Sequence, residues 1–201
     1  MNLNSTIVYS PKPDENEIRN AVAAQLTGAG FMEIMCNSLT RAAYYDESVD
    51  YPASQTVVLA NPLSSDLNGM RQTLLFGGLE TIRHNRNRQN PNLKLFEMGN
   101  CYHLKEGADQ SLQKSYIEEH RLALFMTGNR YPENWNTPAQ KVSFADIKSH
   151  CENILIRLGI SSEAIQTKGI SPDLLSEGLI YTHGNTPIFT IGIVKPKLLK
   201  Q

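Results

Sequence analysis
Cysteine is scarce in this chain of 201 residues: Cys36, Cys101 and Cys151 stand far apart, and no Cys-x-x-Cys pair occurs. That spacing indicates neither a zinc site nor a disulfide framework. A dominant charge is missing too. The 19 basic and 20 acidic residues leave a formal charge of −1, which argues against a dedicated nucleic-acid module but leaves room for a local basic patch. No apolar run approaches membrane-spanning length, and the opening Met1 to Thr6 lacks a charged-then-apolar signal pattern. The cytoplasm is therefore the expected compartment, with no membrane partner. No glycine-rich phosphate loop is present: Gly77-Gly78 falls inside a predicted helix and fits close helix packing. The histidines His84, His103, His120 and His183 lack metal-ligand spacing. His150 and Cys151 are neighbours, but adjacent helical residues diverge by about 100°, so they do not form a thiol–imidazole pair. No arginine follows Arg157.

What is present describes a globular chain, 40% hydrophobic and 19% charged, with enough apolar side chain for a real core. Asp14 and Glu17 read as a helix N-cap with an acid at N3. Ile18, Val22 and Leu26 then form an apolar face beside Ala21, and Gly28 or Gly30 stops the helix. Phe31 to Leu39 reads as a strand, Thr40 as the cap of a short helix through Tyr44 and Tyr45, and Val57 to Ala60 as a short buried strand. Further on, Leu104 to Ser115 is expected as an exposed loop and His120 to Thr127 as a strand. Gly128 to Thr137, with Pro132 and the sole tryptophan Trp135, is an irregular connection. Ser143 caps the clearest helix, with Phe144, Ile147, Cys151, Ile154, Leu155 and Leu158 on one face and Gly159 at its end. The last third reads as strands, with His183-Gly184-Asn185 as a tight hairpin between Leu179–Tyr181 and Ile188–Ile191. The fold class that follows is α+β: a mainly antiparallel sheet flanked by helices near 14–28, 74–88 and 143–159.

Asn61 to His103 organises the rest. Asn61-Pro62 breaks the preceding run, and Met70-Arg71 leads into a helix whose stripe is Leu75, Leu79 and Ile82. Arg83, Arg86 and Arg88 follow at its C-terminus, where the macrodipole favours cations. Asn90-Pro91-Asn92 ends the helix. Leu93, Leu95 and Glu97 then alternate with Lys94, Phe96 and Met98, and Gly99-Asn100 is predicted to turn the chain into a return strand at Cys101-Tyr102.

This stretch resembles the beta subunit of bacterial phenylalanyl-tRNA synthetase. The resemblance rests on Asn61, Pro62, Leu63, Ser64, Met70, Arg71, Leu74, Leu75, Gly78, Leu79, Asn85, Arg88, Gln89, Leu95, Phe96, Glu97 and Gly99, in that order. It extends through Trp135, Val142–Lys148 and Leu158-Gly159. Two positions depart from the pattern: Ser143 stands where an acid is usual, and Lys195 takes a histidine's place before Pro196. The match covers nearly all of residues 1–201 but only one module of that subunit. A single class II synthetase-like core module, cut from a longer beta subunit, is therefore expected.

The resemblance implies a scaffold without adenylation chemistry. Class II synthetases grip ATP with an arginine on the motif 2 strand and another in motif 3, because bidentate guanidinium suits phosphate oxygens. With Glu97 set on the motif 2 glutamate, the arginine position falls on Leu95; a shift by one gives Lys94 or Phe96. Motif 3 cannot be completed after Arg157. No catalytic, cofactor-binding or metal residue is therefore expected in this chain. ATP and magnesium are implied only for a holoenzyme of two alpha and two beta subunits that joins phenylalanine to tRNA(Phe). The helix–strand unit called motif 1 forms subunit interfaces in this class, so Ile18, Val22 and Leu26 either face a partner or cover the chain's own sheet. Arg71, Arg83, Arg86 and Arg88 are candidates for contact with tRNA or an acidic partner surface; the alternative is a solvated helix end.

Overall fold
The computed structural model describes residues 14–105, 115–131, 134–170 and 173–200. Most of the expected 104–115 loop, the lead-in at Pro11–Pro13 and Pro132 lie outside them. The first helix, α1 (Glu15–Gly28), begins where the Asp14 carboxylate accepts the Asn16 amide at 2.8 Å. It is followed by Gly30 at φ +85°, a conformation that glycine adopts without strain. Val22 and Leu26 pack with Phe31, Phe96 and Ile154 into one core cluster.

The strand expected over Phe31–Leu39 is broken in two. β1 (Met32–Glu33) is followed by β2 (Leu39–Thr40), because Asn37 Oδ1 takes the Leu39 amide at 3.0 Å and turns the chain between them. β2 pairs with β3 (Gly69–Met70). A 3-10 turn spans Ala42–Tyr45 as expected, but its first amide is taken by Asn68 Oδ1 at 2.8 Å and Thr40 is not its cap. The buried strand expected at Val57–Ala60 reduces to a single bridge from Val58 to Gly69, and Val58 is half exposed.

α2 (Leu75–Arg86) buries Phe76 and Gly78 most deeply; Leu75 and Ile82, from the expected stripe, are only partly buried. The hairpin expected at Gly99-Asn100 is absent. β4 runs unbroken from Leu93 to Leu104 and pairs residue for residue with β5 (Tyr116–Thr127), from Leu93 opposite Thr127 to Leu104 opposite Tyr116. β1 lies parallel along the other edge of β4. α3 (Phe144–Arg157) starts with the predicted cap, a reciprocal box between Ser143 and Asp146, and Gly159 follows at φ +73°. It bridges two clusters: Ile154 joins the α1 side, while Cys151 and Leu155 pack on Tyr181 and Ile191. Leu158 is exposed and lies off that face. β6 (Ile165–Ile170), β7 (Leu175–His183) and β8 (Thr186–Val194) form an antiparallel meander whose last turn carries Gly184 at φ +57°, as the sequence predicts. The chain is thus α+β, with small, mainly antiparallel sheets and three flanking helices.

Candidate functional site: a closed sheet face and an open helix groove
Residues directly opposite in an antiparallel pair share a face of the sheet. One face of β4–β5 therefore carries Leu93, Leu95, Glu97, Gly99 and Cys101 together with Phe125, Ala123 and Arg121. α2 covers half of it. Leu93, Leu95 and Phe125 are buried there against Leu75, Ile82 and Ile34. The approach depends on the glycine pair: a Cβ on Gly78 would run into the Phe125 ring, and one on Gly77 would stand 2.9 Å from Cys36 Cβ. The sequence reading of Gly77-Gly78 as a packing device is what the structure shows.

Arg71 closes the other half. Its backbone is held from both sides, its amide donating to Ser38 O at 3.0 Å and its carbonyl accepting from the Tyr102 amide at 2.8 Å. The side chain then lies over Gly99. Its Nε donates to Asn100 O at 2.9 Å, and its Nη1 donates to Glu97 Oε1 at 2.6 Å and to Cys36 O at 3.3 Å. Glu97 Oε1 also accepts the Cys36 amide at 3.1 Å. Both residues are buried, Arg71 6% and Glu97 1% exposed, so this is an ion pair sealed from water. Gly99 is glycine because the Arg71 guanidinium occupies the place of its Cβ. That contact replaces the turn that the sequence suggested.

Gln72 locks the covering segment, and sequence reasoning missed it. Its amide donates to the Tyr45 hydroxyl at 2.9 Å, and its Nε2 donates to Thr56 Oγ1 at 2.7 Å and to Pro52 O at 3.1 Å. The only signal was a polar residue wedged between Arg71 and the apolar run at Leu74-Leu75. Burial pushes the Tyr45 hydroxyl up to about 12 and the Cys101 thiol up to about 11, so both are neutral at physiological pH. Burial likewise pushes the Cys151 thiol up to about 12, which makes it the inert side chain that its place in the stripe suggests. His150 sets its ring edge against Phe31, 4.9 Å between centroids. Among the described residues no group of three or more His, Cys, Asp or Glu is placed to hold a metal ion, and no helix is long and apolar enough to cross a membrane. Leu95 is 2% exposed in its apolar cluster; Phe96 is fully buried on the opposite face, and Lys94 Nζ reaches back to Ala29 O at 3.4 Å. The apolar side chains Leu95 and Phe96 offer no donor to a phosphate oxygen and no ligand to a magnesium ion.

The sequence-predicted contact residues separate. Val22 and Leu26 belong to the core, whereas Ile18 is 42% exposed. α1 and α3 form an open groove of about 520 Å³, lined by Ala21, Ala24, Gln25, Asn153, Ile156 and Arg157. Ile156 is 69% exposed there. Gln25 Oε1 is shielded from solvent and has no hydrogen-bond partner. Arg71 is buried with Glu97, away from the other three arginines. Arg83, Arg86 and Arg88 are exposed in and after the last turn of α2, with Arg88 Nη1 donating to His84 O at 3.2 Å.

Comparisons with known proteins show the family and the fold. Residues 3–201 match the family described as "Phenylalanyl tRNA synthetase beta chain CLM domain". The chain is 44% identical over 203 residues to the phenylalanine–tRNA ligase beta subunit of Bacteroides thetaiotaomicron, covering 98% of this chain and 25% of that one. It is 45% identical to the Bacteroides fragilis subunit, at 92% and 23% coverage, and 39% identical to that of Porphyromonas gingivalis, at 91% and 23%. The chain thus spans about a quarter of the length of these relatives. Among solved structures, two of a pyrrolysyl-tRNA synthetase from Desulfitobacterium hafniense share the fold. Their TM-scores are 0.61 and 0.60 at 17% and 16% identity, with 94% and 86% of this chain and 62% and 56% of theirs covered.

Proposed function
This chain belongs to the phenylalanyl-tRNA synthetase beta chain family through its CLM domain, and from that premise we propose that it is a synthetase-shaped scaffold that performs no adenylation itself and holds a catalytic alpha subunit in place. The assembly in which it works has two alpha and two beta subunits, attaches phenylalanine to tRNA(Phe) with ATP and magnesium, and acts in the cytoplasm. The observation that carries this reading is the closed sheet face. Where the resemblance calls for a phosphate-gripping arginine, Leu95 is packed under α2, and the neighbouring carboxylate Glu97 is already occupied by Arg71. Opening that face to a nucleotide would require removing α2. The α1–α3 groove supports the second half of the reading, because Ile156, 69% exposed, lines it with Ala21 and Ala24, and apolar side chains grouped in an open groove suit a partner better than water.

Co-purification with the alpha chain tests both halves. The wild-type chain should retain alpha on an affinity column, and Ile156→Glu should lose it without lowering the melting temperature, since Ile156 is mostly exposed. The chain alone should show no phenylalanine-dependent ATP–pyrophosphate exchange. Robust exchange without alpha would overturn the proposal.

A further inference from the structure
The meander β6–β8 rests on α3 along one side and on the Tyr45 segment along another. β7 is entered through Asp173 and Leu174, and β8 is left through Lys195. The Lys195 amide donates to Leu174 O at 3.1 Å, so these two chain passages lie side by side. Across the seam, Leu174 and Leu198 pack with Tyr45 and Phe76. At its exposed margin Lys197 Nζ donates to Glu47 Oε2 at 2.8 Å. Between these contacts two carboxylates cross. The Asp173 amide donates to Asp50 Oδ2 at 3.0 Å, and the Val49 amide donates to Asp173 Oδ2 at 2.7 Å. Each aspartate thus takes an amide from the other's side of the seam, which brings two groups of like charge within hydrogen-bond range of one another. Asp173 Oδ1 is shielded from solvent and has no hydrogen-bond donor among the described residues. Adjacent carboxylates repel when both are ionised, and a shielded oxygen without a donor costs free energy. A single proton between them removes both costs.

We propose that Asp50 and Asp173 share one proton and form a pH-sensitive latch between the meander and the Tyr45 segment, closed when the proton is present and loosened when both carboxylates are ionised. Asp50 holds the proton and Asp173 accepts it. Desolvation and the hydrogen bond to Asp173 raise the Asp50 carboxyl above its ordinary value of 3.8. Desolvation acts the same way on Asp173, but hydrogen bonds from Asp50, from the Ser48 hydroxyl and from the Val49 amide outweigh it and hold that carboxyl below 3.8. Lys195 opposes the rise at Asp50, and the Tyr51 phenol faces Asp50 from its own segment. By linkage, the contribution of Asp50 is full below 3.8 and is lost as pH rises through its raised value. That of Asp173 is full above 3.8 and is lost as pH falls through its lowered value. The latch is therefore tightest near 3.8 and slackens towards neutral pH. The scaffold role does not depend on this latch, and the latch does not depend on the scaffold role.

The test uses the whole chain. Carbon-13 titration of the two carboxyls should give separate midpoints, Asp50 above 3.8 and Asp173 below it. Amide hydrogen exchange, corrected for the intrinsic rate at each pH, reads the latch at the Val49 and Asp173 amides. Their protection should fall between about pH 4 and about pH 7, roughly ten-fold for each pH unit by which the Asp50 midpoint is raised. In Asp50→Asn the side-chain amide stands in for the protonated carboxyl, so protection of both amides at neutral pH should rise and lose its pH dependence over that range. Asp50→Ala should lower it instead. Coincident midpoints, protection that does not change with pH, or an Asp50→Asn variant less protected than wild type at neutral pH would each overturn the proposal. So would magnesium chloride that raises protection in place of the proton.

Discussion

Removing the Arg71 side chain is the most informative single perturbation of the closed face. Arg71→Met keeps much of the aliphatic stem and deletes the guanidinium. Three acceptors lose their donor at once: Glu97 Oε1, Asn100 O and Cys36 O. Glu97 is almost wholly buried and its Oε2 already has no protein partner, so the carboxylate is left with only the Cys36 amide. Breaking a buried pair by removing one partner costs about 3–5 kcal/mol. For a domain of this size that lowers the melting temperature by roughly 6–20 °C. Urea denaturation of the single variants Arg71→Met and Glu97→Leu and of the double variant then gives a cycle. The double variant should be nearer to wild type than either single one, because an apolar replacement of both partners leaves no charge stranded. Gly99 provides an internal check. Its backbone needs no left-handed conformation, so Gly99→Ala should cost about 1–3 kcal/mol mainly through the collision with the guanidinium, with a lesser contact at Leu74 Cδ2. In the Arg71→Met background that cost should largely vanish. Additive costs, or an Arg71→Met variant within about 1 kcal/mol of wild type, would refute the account of this face.

Two further outcomes follow from the geometry. Hydrogen bonds from the Ser143 hydroxyl and amide, helped by Arg130, hold the Asp146 carboxyl below its ordinary value of 3.8; its folded pKa is thus below its unfolded one, and the stabilisation is full above that ordinary value and lost as pH falls through the lowered one. Asp146→Asn and Ser143→Ala should each cost about 1 kcal/mol near neutral pH and flatten this acid limb, which thermal melts across the acid range would detect. Leu95→Arg should not create a nucleotide site. It buries an unpaired cation among Leu93, Phe125 and Leu75 and should destabilise the chain by about 3–5 kcal/mol; a stable variant that binds ATP in a dialysis assay would sink that expectation.

The parts of the fold that were legible in the sequence are those fixed by neighbours along the chain. Asp14 and Ser143 cap helices through amides two or three residues away, and Gly159 and Gly184 follow from local backbone conformation. Errors arose where the deciding partner is remote. Gly99-Asn100 has the composition of a hairpin turn, yet the glycine answers to a guanidinium that arrives from Arg71 across the sheet. Asn37 looked like an interior position of one strand, and its side chain ended that strand instead. A single apolar stripe does not describe α2, because this helix touches two clusters: Phe76 packs with Tyr45 and Leu174, whereas Leu75 and Ile82 meet the sheet. Burial of Arg71 could not be read either, since an arginine beside three others resembles a surface patch until its partner Glu97 is in place.

The same geometry gives this sheet face a stability that depends on no ligand. In a sheet face that binds ligand, polar groups wait for their partners and the surrounding backbone must stay apart. Here most of these demands are met from within the chain, with Glu97 Oε2 the exception. Gly77 and Gly78 let α2 settle onto Cys36 and Phe125, which turns the Leu95 position into core. Gly99 admits the Arg71 guanidinium, and that satisfies one oxygen of Glu97. Gln72 ties down the Tyr45 segment, which packs on Phe76. The closed face therefore adds to the core that supports α1 and α3, and these two helices leave their groove open on the other side of the sheet. Stability on one face and availability on the other have a common cause, the burial of Phe96 and Leu95 on opposite sides of a single strand.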